Sequence, residues 1–321
     1  MRYLIIGFGQ DAILMARWLN SIGSEYRVLI RRSSEISKKV DSSNIDPSKI
    51  VYSGEIDEFS LLMLYEQFHY THVFNFAANS FVQDSGLRFF EFIQNNSKIL
   101  WSLMRVSELT DGFWIFHPLS SEILDHEAFG SRREILLKPR NAYGLAKSND
   151  LLSCNIYREL TSGKINSCIL FNHESSLRAA QFFTKKVSNY FNNSKNNEPL
   201  KIFNAKSQRD WGCANEFVRL IHHSSMVSFD GLSMLGTGNL MSVEEYIDFC
   251  FKCLDEDFEK QEVNGLITWK SQRFKVVECK RDVRDEERVL KADPELVTPA
   301  FGEMPQIMGY KLIQGLLSGE L

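Results

Sequence analysis

The sequence predicts an α/β protein, a doubly wound parallel sheet followed by a smaller C-terminal substrate-binding lobe. Two observations carry this. Across the first half, short apolar runs alternate with longer stretches of helical period, which marks repeated βαβ units. After about residue 172 the texture changes to polar turn clusters, such as 192–199, and a charge-rich stretch at 280–288. Strands are expected at 3–6, 27–30, 49–52, 72–76, 113–116 and 167–171. Helices are expected at 12–22, stopped by Gly23, and at 89–109 and 143–160. Residues 1–171 should therefore form the doubly wound domain. Residues 172–321 should mainly form the second lobe, with some segments returning to the first.

Composition bounds the function. With 321 residues, 44% hydrophobic and 24% charged, the chain can bury a full core. A net charge of −4 gives no field to gather nucleic acid or anionic lipid, so any phosphate must be held by local basic residues. The start, Met1-Arg-Tyr-Leu-Ile-Ile-Gly7, lacks a signal-peptide stretch, and no run approaches the roughly 18 apolar residues of a membrane span. A cytoplasmic protein without a membrane partner is expected. Of six cysteines, only Cys250 and Cys253 have metal-like spacing, and they sit in an amphipathic helical pattern with no second pair, so no metal site is expected.

The first expected strand runs into Gly7-Phe8-Gly9-Gln10-Asp11-Ala12, a G-x-G-x-x-A turn. Side chains at 7 or 9 would obstruct the tight turn and the approach of a pyrophosphate, and Ala12 lets the helix pack closely on the strand. The helix N-terminus then presents free N–H groups to phosphate. After the second strand, where folds that prefer NAD place an acid, this chain has Arg31-Arg32-Ser33-Ser34. Two guanidinium groups suit a 2′-phosphate, which favours NADP in a Rossmann-type domain. Glu55 and Ile56 follow the third strand and could stand beside adenine; Asn75, Ala77 and Ala78 follow the fourth, where backbone must approach the dinucleotide.

Tyr143-Gly-Leu-Ala-Lys147 puts a phenol and an ammonium on one helix face. A cation about 4 Å from a phenol is worth roughly 4 kcal/mol at an effective dielectric of 20, close to three pK units before desolvation is subtracted. Such a tyrosine could act as a base near neutrality. The fifth strand leads into Leu119-Ser120-Ser121-Glu122, at the carboxyl edge that faces the ligand crevice of a parallel sheet. Ser120 can hydrogen-bond a sugar hydroxyl, and Glu122 can serve as acid or base. A helix cap with a nearby acid is the plainer reading of the same residues. His173 has no partner at ligand spacing and reads as a structural residue.

Together these segments resemble the extended short-chain dehydrogenase/reductases, and most closely the GDP-mannose 4,6-dehydratase family. The resemblance runs through most of the chain. It is carried by Gly9-Gln-Asp11, Arg31-Arg-Ser-Ser34, Phe74-Asn-Phe-Ala-Ala-Asn-Ser-Phe-Val82, Ser120-Ser-Glu122, Asn141-Ala-Tyr-Gly-Leu-Ala-Lys147, Ile169-Leu-Phe-Asn-His-Glu-Ser175 and Arg209-Asp-Trp-Gly212. It implies that Tyr143 and Lys147 are the catalytic pair, that Ser120 replaces a family threonine, and that Glu122 works at carbons 5 and 6 of the sugar. It also implies a nucleotide sugar bound by Ser80, Asn172, Lys186 and Arg209, with Arg284 and Glu287 matching a C-terminal Arg-x-x-Glu across a one-residue gap. The implied reaction is a 4,6-dehydration of a GDP-hexose by internal hydride transfer through NADP, in a dimer or tetramer. The chain departs from the family in a glycine turn one residue shorter, in Ser120, and in a shortened segment after Arg32 and a shortened C-terminal tail. A nucleotide-sugar epimerase or 4-ketoreductase would need Tyr143 and Lys147 but no carboxylate at 122. A non-catalytic NADP-binding module would need neither chemistry.

Overall fold

A computed structural model describes residues 1–33, 40–78, 89–129, 135–193, 198–280 and 289–321. In chain order the elements are β1 (Arg2–Ile6), α1 (Gln10–Ser21), β2 (Glu25–Arg31), β3 (Ile50–Ser53), α2 (Glu58–Phe68), β4 (His72–Asn75), α3 (Phe89–Leu109), β5 (Trp114–Ser120), β6 (Leu124–Phe129), β7 (Ile135–Leu137), α4 (Ala142–Leu160) and β8 (Ile165–Leu170). Then come β9 (Asn172–Glu174), α5 (Phe183–Phe191), β10 (Leu200–Ile202), β11 (Gln208–Arg209), β12 (Trp211–Cys213), α6 (Ala214–Met226), β13 (Gly231–Leu235), β14 (Met241–Ser242), α7 (Val243–Cys253), β15 (Glu259–Val263), β16 (Leu266–Lys270), β17 (Lys275–Glu278), β18 (Val289–Leu290), α8 (Pro294–Phe301) and α9 (Gly309–Ser318). Among the described residues no helix is long and apolar enough to cross a membrane.

The chain divides into two compact units. The first comprises Met1–Leu170, Val218–Leu235 and Glu295–Glu303. Its sheet has the order β13-β8-β5-β4-β1-β2-β3, with every pairing parallel. The expected doubly wound fold is borne out, and the point where the winding reverses lies between β1 and β4. Both strands are buried, as an interior parallel sheet requires, and Leu4, Ile6, Leu29 and Val73 pack with Leu61, Leu64 and Leu103 in one core.

Local sequence explains the elements that frame the crevice. The extended Gly9 opens α1, and Gly23, at φ +67°, closes it by donating its N–H to the carbonyl of Asn20 at 3.1 Å. Helix α2 starts with a reciprocal capping box between Asp57 and Ser60. Strand β5 runs past the expected end to Ser120, through Pro118. Beyond Phe116 its pairing among the described residues is with β8 and no longer with β4, and the edge freed there tolerates a proline that lacks an N–H.

The second unit comprises Phe171–Phe217, Gly236–Pro294 and Met304–Leu321. It has a four-stranded sheet, β10-β17-β16-β15, and short pairings of β9 with β12 and of β11 with β14 and β18. Its core is aromatic: Phe191, Trp211, Tyr246, Phe251, Trp269 and Phe274 are all buried. Cys250, fully buried in that core, and its neighbour Cys253 are free thiols on α7.

Candidate active site

The glycine turn sits at the switch point, and its two glycines have different reasons to be there. Gly7 has φ +106°, and a Cβ on it would lie 3.0 Å from the Ala77 nitrogen and 3.1 Å from the Ala77 Cα. The protein's own backbone after β4 therefore excludes a side chain at 7. Gly9 has an ordinary φ of −79°, and a Cβ there would meet nothing within 4 Å. Gly9, the cap residue of α1, has no side chain with which to accept from the first-turn N–H groups. Gln10 is buried and donates to Asp11 Oδ1 at 3.1 Å. Asn75, at the end of β4, is buried with its Oδ1 lacking a partner. An open cradle, an uncapped helix start and an orphaned acceptor fit the diphosphate and the polar edge of a dinucleotide.

The remaining cofactor candidates spread along the same edge. Arg31 ends β2 and Arg32 follows it, both exposed; the Arg32 N–H donates to Ser53 O at 2.9 Å and its guanidinium lies 5.6 Å from the Tyr52 ring. Glu55 is exposed and paired with Lys98 at 2.6 Å. Ile56 is buried in the core cluster of Leu4, Ile6 and Leu29. Ala77 is half-buried and Ala78 exposed. Ser34 and Ser80 lie outside the described residues.

Ser120, Glu122, Tyr143 and Lys147 all belong to the first unit. Ser120 ends β5 and caps a 3-10 turn over Ser121–Ile123, accepting the Glu122 N–H at 3.2 Å. Asn141 caps α4, its Oδ1 accepting the Gly144 N–H at 2.7 Å, while its Nδ2 donates to Glu122 Oε2 at 3.1 Å. One residue thus starts the helix of Tyr143 and grips the carboxylate of Glu122. The close packing needs Gly144, because a Cβ there would sit 2.8 Å from the Glu122 carbonyl oxygen. Tyr143, buried beside Ala142 and Ile93, and the fully buried Lys147 lie one helical turn apart on α4.

Behind Lys147 lies a buried polar chain of which sequence reasoning singled out Asn75 alone, and that as a cofactor residue. Lys147 Nζ is 3.4 Å from Asp150 Oδ2 and 3.5 Å from His117 Nε2. His117 Nε2 is 3.0 Å from Asp150 Oδ2, and Ser97 Oγ donates to Asp150 Oδ1 at 2.6 Å. Asn75 Nδ2 stands 3.1 Å from His117 Nδ1. Burial lowers the pKa of His117, as does the neighbouring Lys147 charge, against the opposing pull of Asp150. Burial would raise Asp150, but Lys147, His117 and Ser97 outweigh it and hold the carboxyl below its ordinary range. A histidine inside an apolar strand run and an acid one turn past Lys147 were the available signals.

In the second unit, Asn172 opens β9 opposite Trp211 of β12, Arg209 ends β11, and Lys186 is exposed on α5. Two of the stretches that carry the resemblance, Ile169-Leu-Phe-Asn-His-Glu-Ser175 and Arg209-Asp-Trp-Gly212, are partly structural. Asp210 is buried and accepts from Thr237 N–H, Thr237 Oγ1, Gly238 N–H and Ala292 N–H at 2.6–3.1 Å. His173 bonds the Phe171 carbonyl at 2.7 Å and stacks on Phe217. Arg284 and Glu287 lie outside the described residues. Among the described residues no three His, Cys, Asp or Glu side chains gather as a metal site.

A family model described as GDP-mannose 4,6 dehydratase matches residues 4–314. The chain belongs to this family. The match runs from β1 into α9 and so spans both units of this GDP-mannose 4,6-dehydratase family member. The GDP-mannose 4,6-dehydratase of Vibrio cholerae is 27% identical over 354 aligned positions, covering 99% of this chain and 93% of its own. The GDP-mannose 4,6 dehydratase of Drosophila melanogaster is 25% identical over 288, covering 84% and 70%. Among solved structures, the dTDP-glucose 4,6-dehydratase of Bacillus anthracis in complex with NAD shares the fold, with a TM-score of 0.78 at 14% identity over 100% of this chain and 96% of that one.

Proposed function

We propose that this dehydratase-family chain removes water from a GDP-hexose of the GDP-mannose type, giving a 4-keto-6-deoxy sugar, with NADP as resident cofactor. One observation carries the reading: the Glu122 carboxylate is held by Asn141, the residue that caps the helix of Tyr143 and Lys147. An epimerase or 4-ketoreductase has no use for that carboxylate.

The chain's residues divide the proton work. Tyr143, as phenolate beside the Lys147 ammonium, takes the proton from the hydroxyl on carbon 4, and Ser120 hydrogen-bonds the same oxygen. Once carbon 4 is a ketone, the hydrogen on carbon 5 is acidic. Glu122 removes it and passes a proton to the hydroxyl on carbon 6, which leaves as water. NADP, when bound, supplies a hydride acceptor at the start and a donor at the end, so a turnover needs no external reductant. Gly7, Gly9, Gln10 and Asp11 would hold its diphosphate, Arg31 and Arg32 its 2′-phosphate, and Asn75, Ala77 and Ala78 its approach along β4. Asn172, Lys186 and Arg209 would hold the nucleotide diphosphate of the sugar, with Ser80, Arg284 and Glu287.

A second copy of the chain is the proposed occupant of an apolar face on α3 and α4. Leu152, Ile156 and Leu160 recur every fourth residue of α4 at 54%, 53% and 78% exposure and line a shallow groove, with Trp101 of α3 beside them bonding Ser153. Six free cysteines fit the reducing cytoplasm as the place of work.

The test incubates the protein with GDP-, dTDP-, UDP- and CDP-hexoses and weighs the products. Loss of one water from the GDP sugar without added reductant is expected; net consumption of NADPH would make the protein a reductase. Glu122→Gln should abolish water loss while transient cofactor reduction, read by its near-ultraviolet absorbance, survives. Undiminished water loss in that variant would remove Glu122 from the reaction.

A further inference from the structure

The dehydration scheme leaves Ser97, His117 and Asp150 without a role and uses Asn75 only towards the cofactor, although all four are buried behind Lys147. Their contacts fix their protonation. An ionised carboxylate only accepts, so the contact of Asp150 Oδ2 places the proton of His117 on Nε2. Nδ1 is then the acceptor for the amide N–H of Asn75. The lowered pKa of the imidazole agrees with this neutral form. His117 Nε2–H and the Lys147 ammonium are both donors, so they share Asp150 Oδ2, and Ser97 holds the other oxygen. Asp150 is the hub of the chain.

We propose that Asp150, oriented by His117, Asn75 and Ser97, is the counter-charge that positions the Lys147 ammonium beside Tyr143 and sets the pH window in which that pair works. The proposal rests on the reading of Tyr143 and Lys147 as the catalytic pair; the four residues behind them are positioning residues. Among the described residues, three other titratable groups stand near the Lys147–Asp150 pair. Tyr143 lies one turn earlier on α4, His117 comes from β5, and Cys154 stands one turn later with its thiol pushed up to about 12 by burial. Ser97 of α3 and Asn75 of β4 complete the shell without charge.

An anion raises the proton affinity of every group near it. Take it away, and the phenol at 143 ionises at lower pH while the ammonium at 147 gives up its proton at lower pH. Activity needs the first ionised and the second protonated, so both limbs of the pH–rate profile move in the same direction. A purely structural loss would lower turnover at every pH and leave the limbs in place.

The experiment records pH profiles of kcat and KM for the full chain with cofactor, in wild type, Asp150→Asn, His117→Leu and His117→Gln, with Tyr143→Phe and Lys147→Met as controls. In Asp150→Asn both limbs should move to lower pH by about 1–3 units. His117→Leu, which cannot donate to Oδ2, should lose kcat with little change in KM, and His117→Gln, which can donate, should recover it. Nitrogen-15 NMR of histidine-labelled protein without cofactor should find His117 neutral, with its proton on Nε2, through the neutral range. Unmoved limbs in Asp150→Asn would overturn the proposal. If that variant does not fold, a wild-type profile in His117→Leu, or a His117 signal titrating at the ordinary histidine value, does so instead. Wild-type turnover in Tyr143→Phe or Lys147→Met would sink the catalytic pair, whereas the NMR result tests the chain behind it separately.

Discussion

Replacing Gly9 by serine should stabilise the empty protein and weaken its hold on the dinucleotide. Gly9 is the N-cap of α1, its backbone is already extended at φ −79° and ψ −174°, and a Cβ would meet nothing within 4 Å. Serine fits there without strain, and its hydroxyl can accept from an amide of the first turn. The better cap and the less flexible unfolded chain together are worth about 0.5–1 kcal/mol, which raises Tm by about 1–2 °C in a protein of this size. The same hydroxyl occupies the space, and takes the N–H group, that a phosphate would use. A charge-assisted hydrogen bond is worth about 1.5–3 kcal/mol, so NADP affinity should fall about tenfold to a hundredfold. Thermal melting of the cofactor-free chain and titration calorimetry with NADP read the two effects separately. Unchanged NADP affinity in a stabilised Gly9→Ser protein would refute the placement of the diphosphate at this turn, and a Tm lowered by several degrees would refute the reasoning about open space.

Other perturbations test other parts of the site. Arg31→Ala combined with Arg32→Ala should weaken NADP about tenfold or more and leave NAD binding nearly unchanged, if their exposed guanidinium groups meet the 2′-phosphate as proposed; equal losses for the two cofactors would count against that role. Gly144→Ala gains about 1 kcal/mol of helix propensity but forces the Glu122 carbonyl, 2.8 Å from the new Cβ, to retreat by roughly 0.5 Å. Stability should change by less than about 2 kcal/mol while kcat falls about tenfold, and an unaltered kcat would show that the spacing of Glu122 and Tyr143 is not critical. Leu152→Asp with Ile156→Asp should reduce the mass seen by light scattering to that of one chain and make the melting temperature independent of protein concentration; an unchanged oligomer would acquit this face.

The elements that frame the crevice were legible because each has a local cause. Strand β1 ends in the apolar run Tyr3–Ile6 directly ahead of Gly7, α1 stops at Gly23, and α3 has the bounds its periodicity implies. Strand β5 is longer than the apolar run 113–116 suggests: Pro118 fits a strand only where one edge is free, and among the described residues β5 pairs beyond Phe116 with β8 and not with β4. At the glycine turn the sequence justified both glycines by the tight turn and the approach of pyrophosphate. For Gly7 the nearer cause is the protein's own Ala77 backbone, 70 positions on, which no local pattern encodes. Much of the Arg-Asp-Trp-Gly word likewise reflects Asp210 tying Thr237, Gly238 and Ala292 together.

The sequence by itself determined the fold class, the family, the glycine turn and the one-turn spacing of Tyr143 and Lys147, because each is written in neighbouring residues or in the period of a single element. Only the tertiary structure decided that segments Val218–Leu235 and Glu295–Glu303 join the first unit, and that Asn75, Ser97, His117 and Asp150 converge behind Lys147. Those four come from two strands and two helices, and their contacts bridge 33 to 53 positions of chain. Periodicity sets which face of an element a side chain occupies; which other element meets that face is settled by how the whole sheet and its helices pack.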